Sequence, residues 1–314
     1  MKNYFLIPLL ALVALACKNQ PSKEVVPVSE NRLVRIEVSE PISEIQTTHW
    51  ITYNSSGEID SINTVATYQG NEAKRYSAFT YTNNLVSLIK RGGEFFLPTL
   101  NNSRTTSNPR YNDEVTFIYS GKKLSNWSYL GINETVRRNW PIHYAEDGKL
   151  DFVLENQEQD TLRAYRDSNG KILYFQNTNS KKLQDGECEK ILFSLTDQNK
   201  AFKFIIGGEG CSNYSEVNGK YSNLLNPFPD ILWDHLTEFT TYPNITKDIS
   251  NFLFDEIEPK NLVLEYQDMT VYTALHMLPG PLSYEYTANE KGNLLKMIER
   301  QDEVIKSEFN FIYE

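Results

Sequence analysis

The stretch that decides the fold is residues 53–62, YNSSGEIDSI, where a strand-ending tyrosine precedes a polar turn with a glycine and then two apolar residues three positions apart. The pattern returns at residues 144–153 (YAEDGKLDFV), 165–175 (YRDSNGKILYF) and 286–297 (YTANEKGNLLKM). Two degenerate copies begin at Tyr81, which has no glycine, and at Tyr119. The chain therefore contains six related copies of one short unit.

Each copy has the composition of a β-hairpin. Gly, Asn and Asp tolerate the positive φ angles that tight turns demand, and the flanking segments are rich in Tyr, Phe, Ile, Val and Thr, as strands are. Repeated hairpins build an antiparallel meander. We therefore predict a mainly β fold, an antiparallel meander of repeated hairpins that forms a large curved sheet or an open barrel, with a short helical insertion.

The unit also carries a family resemblance. Its pattern, Tyr-x-x-x-Gly-x-apolar-x-x-apolar, resembles the YD (RHS-type) repeats, and more closely the irregular YD-like hairpin arrays of uncharacterised Bacteroidota lipoproteins. The Asp that follows Tyr in true YD repeats is replaced here by Asn54, Ala145 and Arg166. The resemblance covers most of residues 45–177 and 282–314. It implies a hairpin fold and an envelope location, and those families largely lack an assigned activity.

The N-terminus predicts export. Lys2 is followed by an apolar stretch from Phe5 to Ala16, and small residues precede Cys17. This is the pattern of a signal peptide over residues 1–16. Cys17 resembles the lipobox cysteine of bacterial lipoproteins, which is acylated and becomes the mature N-terminus. The alternative is an ordinary small-residue cleavage site and plain secretion.

A tether follows the cysteine. Residues 18–30 contain two prolines, mixed charges and almost no large apolar residues, so residues 17–30 are predicted to be a lipidated cysteine and a flexible linker. Lys18 rather than Asp after the cysteine resembles lipoproteins sent to the outer membrane. We expect one β-rich domain over residues 31–314, facing either the periplasm or the cell exterior.

Residues 178–284 depart from the repeat and contain the other two cysteines. Cys188 begins one alternating segment, and a second segment ends before Cys211. If the turn is centred on Asn199 and Lys200, opposed residues have numbers that sum to 399, as 188 and 211 do. Cross-strand Cα distances of about 4.5–5.5 Å suit a disulfide, which the exported compartment permits. We expect this bridge; the alternatives are reduced buried thiols or a reactive or metal-binding pair.

A helical insertion is predicted at about residues 226–258. Asn226 suits a helix cap and Pro227 a first turn. Apolar residues then recur at helical spacing, and a second short helix is expected to begin at Thr246 and to end before Pro259. The lipoproteins that the repeats resemble also carry an Asn-Pro-Phe helical interruption.

The sequence contains no recognisable catalytic motif. Nucleophile-elbow, zincin, P-loop and Cys-x-x-Cys patterns are all missing. His143 with Glu146 and His235 with Glu238 each form a His-x-x-Glu pair. Two side chains cannot fill the coordination shell of a metal ion such as zinc, which needs about four ligands. A net charge of −10 without a basic stripe argues against nucleic acid. We predict no catalytic residue, metal site, cofactor or nucleic-acid partner.

The aromatic residues are the candidates for binding. Trp50, Trp127, Trp140 and Trp233 could stack on sugar rings, although strand aromatics are more often core packing partners. Residues 60–62 (DSI) and 160–162 (DTL) also match the short acceptor motif of Bacteroidota O-glycosylation.

These observations predict an outer-membrane-anchored lipoprotein of unknown ligand with a non-enzymatic binding or scaffold role. Its partners are the membrane, through the lipid anchor, and an envelope glycan or protein. The rival class is a glycan-processing enzyme with carboxylates in a cleft between sheet and helices. A glycosidase would need two carboxylates about 5–9.5 Å apart, whereas a binding module needs exposed aromatic side chains.

Overall fold

The computed structural model describes residues 32–98, 104–131, 134–155, 160–168, 170, 172–177, 190–195, 201–206, 215–225, 261–268 and 281–314. These residues form eighteen β-strands and contain no helix. The strands are β1 (Leu33–Glu40), β2 (Ile45–Tyr53), β3 (Ile59–Tyr68), β4 (Asn71–Thr82), β5 (Leu85–Pro98), β6 (Arg104–Ser120), β7 (Lys123–Leu130), β8 (Arg138–Tyr144), β9 (Leu150–Glu155), β10 (Asp160–Arg166), β11 (Ile172–Asn177), β12 (Lys190–Leu195), β13 (Ala201–Ile206), β14 (Ser215–Leu225), β15 (Asn261–Asp268), β16 (Leu282–Ala288), β17 (Leu294–Gln301) and β18 (Val304–Tyr313).

All eighteen strands belong to one antiparallel meander. Each strand pairs with the next one in the chain, from β1 with β2 through to β17 with β18. In addition, β1 pairs with β18, where Ile36 faces Phe311. The meander therefore curves back until its first and last strands are hydrogen-bonded neighbours. The predicted mainly β, antiparallel meander is confirmed.

The repeated glycines close identical turns. The Asn54 amide donates to the Glu58 carbonyl at 2.9 Å, and the Gly57 amide donates to the Asn54 carbonyl at 3.0 Å. Equivalent pairs of bonds close the turns over residues 145–149 and 289–293. Gly57 has φ +88°, which residues with a Cβ rarely adopt. The glycine of the unit is thus required by the backbone of the turn.

The copy without a glycine uses a different turn. β4 and β5 are joined by Asn83 and Asn84 alone, which have φ angles of 53° and 63°. Positive φ at both central residues is the geometry of a two-residue hairpin turn, and Asn is the residue that best tolerates it after Gly. Tyr81 therefore begins a true hairpin despite the missing glycine.

Three of the repeated tyrosines, and Tyr313 near the end of the chain, donate hydrogen bonds to neighbouring strands at one end of the meander. Tyr81, at the end of β4, donates its hydroxyl to the carbonyl of Ile59 at the start of β3, at 2.8 Å. The same bond links Tyr53 to Leu33, Tyr144 to Leu124 and Tyr313 to Leu294, at 2.8–2.9 Å. In the copy that begins at Tyr165, the last strand residue before the turn is Arg166, and it donates to the Leu150 carbonyl at 3.0 Å. We call this end the tyrosine rim.

Two rim phenols, Tyr81 and Tyr313, remain protonated hydrogen-bond donors over the ordinary pH range. Burial, with the charges of Glu58 and Asp60, raises the pKa of Tyr81 to about 12. Burial, with the charge of Tyr53, raises the pKa of Tyr313 to about 12. A deprotonated phenol has no O–H group, so it could not donate a hydrogen bond to the carbonyl of the neighbouring strand. The hydrogen bonds that Tyr81 and Tyr313 donate are therefore retained over the ordinary pH range.

Alternation along the strands separates an inner face from an outer face. In β2, Ile45, Thr47, His49 and Ile51 are buried, whereas Gln46, Trp50 and Thr52 are exposed. The buried hydrophobic residues form one cluster, which draws on β1 to β9 and β16 to β18. Its most deeply buried members include Ile36, Ile62, Met297 and Phe309. We call the face that carries this cluster the inner face.

Three predictions concern residues 178–284. β12 and β13 form the expected antiparallel pair, but Ile191 faces Ile206, so paired numbers sum to 397 instead of 399. The pairing is centred one residue earlier than a turn at Asn199-Lys200 would put it. Cys188 and Cys211 lie outside the described residues, as does the helical insertion at about 226–258.

The signal peptide and tether, residues 1–30, also lie outside the described residues. Among the residues that are described, no helix has the length and apolar character needed to cross a membrane.

Candidate functional site

A polar patch interrupts the hydrophobic inner face across β2, β3 and β4. His49 pairs with Thr64, and Thr64 pairs with Arg75, so the three residues form one cross-strand row. Nδ1 of His49 lies 2.8 Å from Oγ1 of Thr64, and both residues are 1% exposed. Burial, assisted by the Arg75 charge, lowers the pKa of His49 to about 3. The imidazole is therefore neutral at physiological pH.

The adjoining inner row contains a charged pair. Ser77 pairs with Arg91, and Arg91 pairs with Asp113 across β4, β5 and β6. Nε and Nη2 of Arg91 donate to Oδ1 and Oδ2 of Asp113, each at 2.7 Å. The Asp113 side chain is 1% exposed, and this two-point geometry compensates its charge within the interior.

A second buried carboxylate lies on the C-terminal strands. Glu299 of β17 is fully buried and pairs with Tyr284 of β16 and Ser307 of β18. Its neighbours along β17 include Met297, which is also fully buried. Glu299 and Asp113 are the two buried carboxylates of the described residues.

The polar side chains of the inner face, Asp113 and His49, are engaged in contacts within the protein interior. Both oxygens of Asp113 accept hydrogen bonds from one guanidinium, so this carboxylate is committed to an ion pair. His49 is held neutral, which removes it as a proton donor above about pH 4. Within the described ranges, no group of three or more His, Cys, Asp or Glu side chains is arranged to hold a metal ion.

The structure separates the tryptophans that the sequence singles out. Trp127 and Trp140 face each other across β7 and β8, and their rings stack with centroids 3.9 Å apart and planes 8° apart. Both rings pack with the inner hydrophobic cluster. Trp50 lies on the outer face of β2 and is 41% exposed. Trp233 lies outside the described residues.

Trp50 belongs to a row of outer-face residues, which we call the outer row. Trp50 pairs with Asn63, Asn63 with Tyr76, Tyr76 with Gly92, and Gly92 with Asn112, across β2 to β6. Tyr76 is 42% exposed, and Asn63 and Asn112 are exposed as well. The row therefore presents two aromatic rings and two amides to solvent in one line across the sheet.

Gly92 makes room for the ring of Tyr76. A Cβ at position 92 would lie 2.8 Å from Cε1 of Tyr76, 3.0 Å from its hydroxyl oxygen and 2.6 Å from Oδ1 of Asn112. Because no side chain stands there, the tyrosine ring extends over β5 and covers Gly92, which is buried although it lies on the outer face. The ring is thereby supported along the sheet surface.

The charged side chains that flank the outer row are paired. Arg35, which pairs with Trp50 in register, forms a 3.0 Å salt bridge with Glu37. Lys74, on the same face of β4 as Tyr76, forms a 2.9 Å salt bridge with Glu72. The surroundings of the row are therefore polar but electrically compensated.

Sequence reasoning found Trp50 but missed the other members of the outer row. Tyr76 and Asn63 stand in strands with many similar residues, and only the register shows that they lie beside Trp50. One local signal was available: the Gly92-Gly93 pair within a strand marks a bulge or a close approach of other groups.

The fold and these two faces define an all-β protein, a long antiparallel hairpin meander with a packed inner face and an exposed aromatic row outside. No family model and no curated protein matches the sequence. Among solved structures, the chain is similar to a porin-like protein from Bacteroides uniformis ATCC 8492, with a TM-score of 0.45 and 11% identity, over 91% of this chain and 98% of that one. It is also similar to a porin-like protein from Bacteroides vulgatus ATCC 8482, with a TM-score of 0.34 and 9% identity, over 91% and 99% of the two chains.

Proposed function

We propose that this protein is a lipid-anchored envelope protein of the outer membrane with a non-enzymatic binding role, and that its outer row is the binding surface. The single observation that carries the binding role is the exposed line of Trp50, Asn63 and Tyr76 on the outer face. Large aromatic residues are costly to leave in water, and exposed aromatic groups beside amides are typical of recognition surfaces.

The buried carboxylates also favour a binding role over an enzymatic one. The rival hypothesis, a glycan-processing enzyme, needs two available carboxylates on either side of a substrate. Of the two buried carboxylates in the described residues, Asp113 is held at both oxygens by Arg91. Because both of its oxygens already accept hydrogen bonds from one guanidinium, this carboxylate is not available to a substrate.

The anchor is supported by the sequence. The apolar stretch ending at Ala16, the lipobox-like Cys17 and the proline-containing tether are the parts that a lipoprotein needs. The resemblance of the repeats to YD-like lipoprotein arrays supports the same location. The Arg32 amide donates to the Glu314 carbonyl at 2.7 Å, and the Glu314 amide donates to the Arg32 carbonyl at 2.9 Å. The tether would therefore join the body at the tyrosine rim.

The anchor is tested with the full chain and its Cys17→Ser variant. We expect the wild-type protein to take up an alkyne-labelled fatty acid and to require detergent for extraction from membranes. The variant should lose the label and the need for detergent. Label that persists in the variant, or that never appears in the wild type, would contradict lipidation at Cys17.

The binding role is tested by hydroxyl-radical footprinting of the full-length protein in isolated envelopes and after purification. If the outer row is occupied in the envelope, Trp50 is oxidised more slowly there than in the purified protein. Trp140, which is 9% exposed, serves as the internal reference. Equal oxidation of Trp50 in both samples would refute an occupied outer row.

We also propose that Cys188 and Cys211 form a disulfide, as the exported compartment permits. Thiol counting in denaturant without reductant is expected to find neither of these two thiols free, and reduction should release both. Two free thiols in the unreduced protein would contradict the bridge. A bridge closing this loop would stabilise the fold by about 3–4 kcal/mol in the chain-entropy treatment.

A further inference from the structure

The outer row has the geometry of a linear stacking site. Trp50 and Tyr76 lie on either side of Asn63, two strand steps apart. Directly paired residues in antiparallel strands have Cα atoms about 4.5–5.5 Å apart, so the two aromatic residues are about 10 Å apart. This is comparable to the length of a disaccharide unit in an extended β-linked sugar chain.

We propose that the outer row binds a neutral polysaccharide, laid across β2 to β6 with pyranose rings stacked on Trp50 and Tyr76. The proposal rests on the binding role proposed above and names its ligand class. The apolar face of a pyranose ring matches the face of an aromatic side chain, and the hydroxyls at the sugar's edge need hydrogen-bond partners. Asn63, between the rings, and Asn112, at the end of the row, offer amide donors and acceptors.

Gly92 has a positioning role in this site. Because position 92 has no Cβ, the Tyr76 ring and its hydroxyl occupy the space over this glycine on the surface of β5. A ring that lies along the sheet presents a face to a ligand, whereas a ring that stands away from the sheet presents mainly an edge. The glycine therefore extends the stacking surface by one strand.

The electrostatics favour a neutral chain over a charged one. Three cations beside the row, Arg35, Lys74 and Lys90, are paired with Glu37, Glu72 and Glu114. A polyanionic glycan would have to compete with those carboxylates for each cation. A neutral sugar needs neither charge and can use the aromatic rings and amides alone.

A protein partner or a lipid surface would use the row differently. The outer-face neighbours of Trp50 along β2 are Thr48 and Thr52, so the aromatic residues stand among polar side chains instead of within a continuous apolar patch. A lipid surface or a large protein interface would require more contiguous apolar area.

The test uses the full chain in detergent and isothermal titration calorimetry with cellohexaose and chitohexaose as neutral probes. We expect one of the two to bind to the wild type. Trp50→Ala and Tyr76→Ala should each weaken that binding about tenfold, as expected for the loss of an aromatic stacking partner. Gly92→Ala should weaken it as well, because the added Cβ displaces the Tyr76 ring.

The matched controls are Leu295→Ala and Ile118→Ala, which remove exposed apolar side chains that lie outside the outer row and are 39% and 52% exposed. Both should bind as the wild type does. Far-ultraviolet circular dichroism of each variant shows that it is folded. Binding that survives both Trp50→Ala and Tyr76→Ala would overturn the proposal, as would the absence of binding to both sugars.

The hydroxyl-radical footprint of Trp50 distinguishes failure of the polysaccharide proposal from failure of the binding role proposed above. If Trp50 is protected in envelopes but neither sugar binds, the binding role stands and the polysaccharide ligand is wrong. If a sugar binds to the purified protein but Trp50 is unprotected in envelopes, the ligand class stands and occupancy in the envelope is wrong.

Discussion

Acid should destabilise this protein through His49, and the size of the effect follows from its burial. The imidazole is 1% exposed, with Thr64 beside Nδ1 and Arg75 as the next residue of the same row. Burial and then the Arg75 charge lower its pKa from 6.5 to about 3. Between these two values the unfolded chain binds a proton that the folded protein does not, so the free energy of unfolding falls as pH decreases from 6.5 toward 3.

The magnitude can be worked from the two pKa values. Their difference, 6.5 minus 3, corresponds to about 5 kcal/mol when the whole range is crossed. At pH 4 the unfolded-state histidine is almost fully protonated, whereas the folded-state histidine is mostly neutral. His49 should therefore cost the protein about 3 kcal/mol of stability between pH 7 and pH 4.

The assay compares urea unfolding of the wild type and His49→Gln at pH 7 and pH 4, followed by tryptophan fluorescence. The carboxylates titrate in both proteins, so their contribution cancels in the comparison. The wild type should lose about 3 kcal/mol more than the variant over this range. Equal losses would refute the reasoning. Arg75→Gln removes the second cause of the lowered His49 pKa, so its free energy of unfolding should fall less than that of the wild type between pH 7 and pH 4.

Three further substitutions test other features of the fold by urea unfolding. Tyr81→Phe removes the rim hydrogen bond to the Ile59 carbonyl and should cost about 1 kcal/mol. Arg91→Ala leaves Asp113 buried without its guanidinium and should cost about 3–5 kcal/mol. Gly93→Ala would place a Cβ 2.3 Å from backbone atoms of β4 at φ +129°, so it should be destabilising by roughly 3 kcal/mol or more.

Each of these substitutions has a matched control. Tyr76→Phe removes a hydroxyl from the exposed outer face and should be nearly neutral. Lys74→Ala breaks an exposed salt bridge and should cost less than about 1 kcal/mol. Gly70→Ala adds a Cβ with nothing within 4 Å at φ +80°, so only the backbone cost of roughly 1 kcal/mol remains. A test variant no more destabilised than its control would contradict the corresponding contact.

The hairpins could be predicted from the sequence because their determinants are local. The turn over residues 54–58 requires a left-handed residue, and Gly57 supplies it within five positions of the tyrosine. The purpose of the tyrosine could not be predicted in the same way. The acceptor of Tyr81 is Ile59, 22 residues earlier, and the bond exists only because two strands are in register.

The same limit applies to the candidate site. Trp50 was recognisable as a large aromatic residue in a strand, but alternation alone does not say which residues of other strands share its row. Trp50, Trp127 and Trp140 all lie in strands, yet Trp127 and Trp140 stack against each other and pack with the inner cluster, whereas Trp50 is exposed on the outer face. Tyr76 became part of the site only through pairing with Asn63.

By itself, the sequence determined the mainly β class, the antiparallel meander and the turns, since period-two patterns and left-handed turn residues act over a few positions. The tertiary structure decided the rest. It joined β1 to β18, set the register that aligns Trp50, Asn63 and Tyr76, and buried His49 and Asp113. The physical reason is that strand pairing lets residues far apart in the chain share one row, and a shift of one residue would move each side chain to the other face.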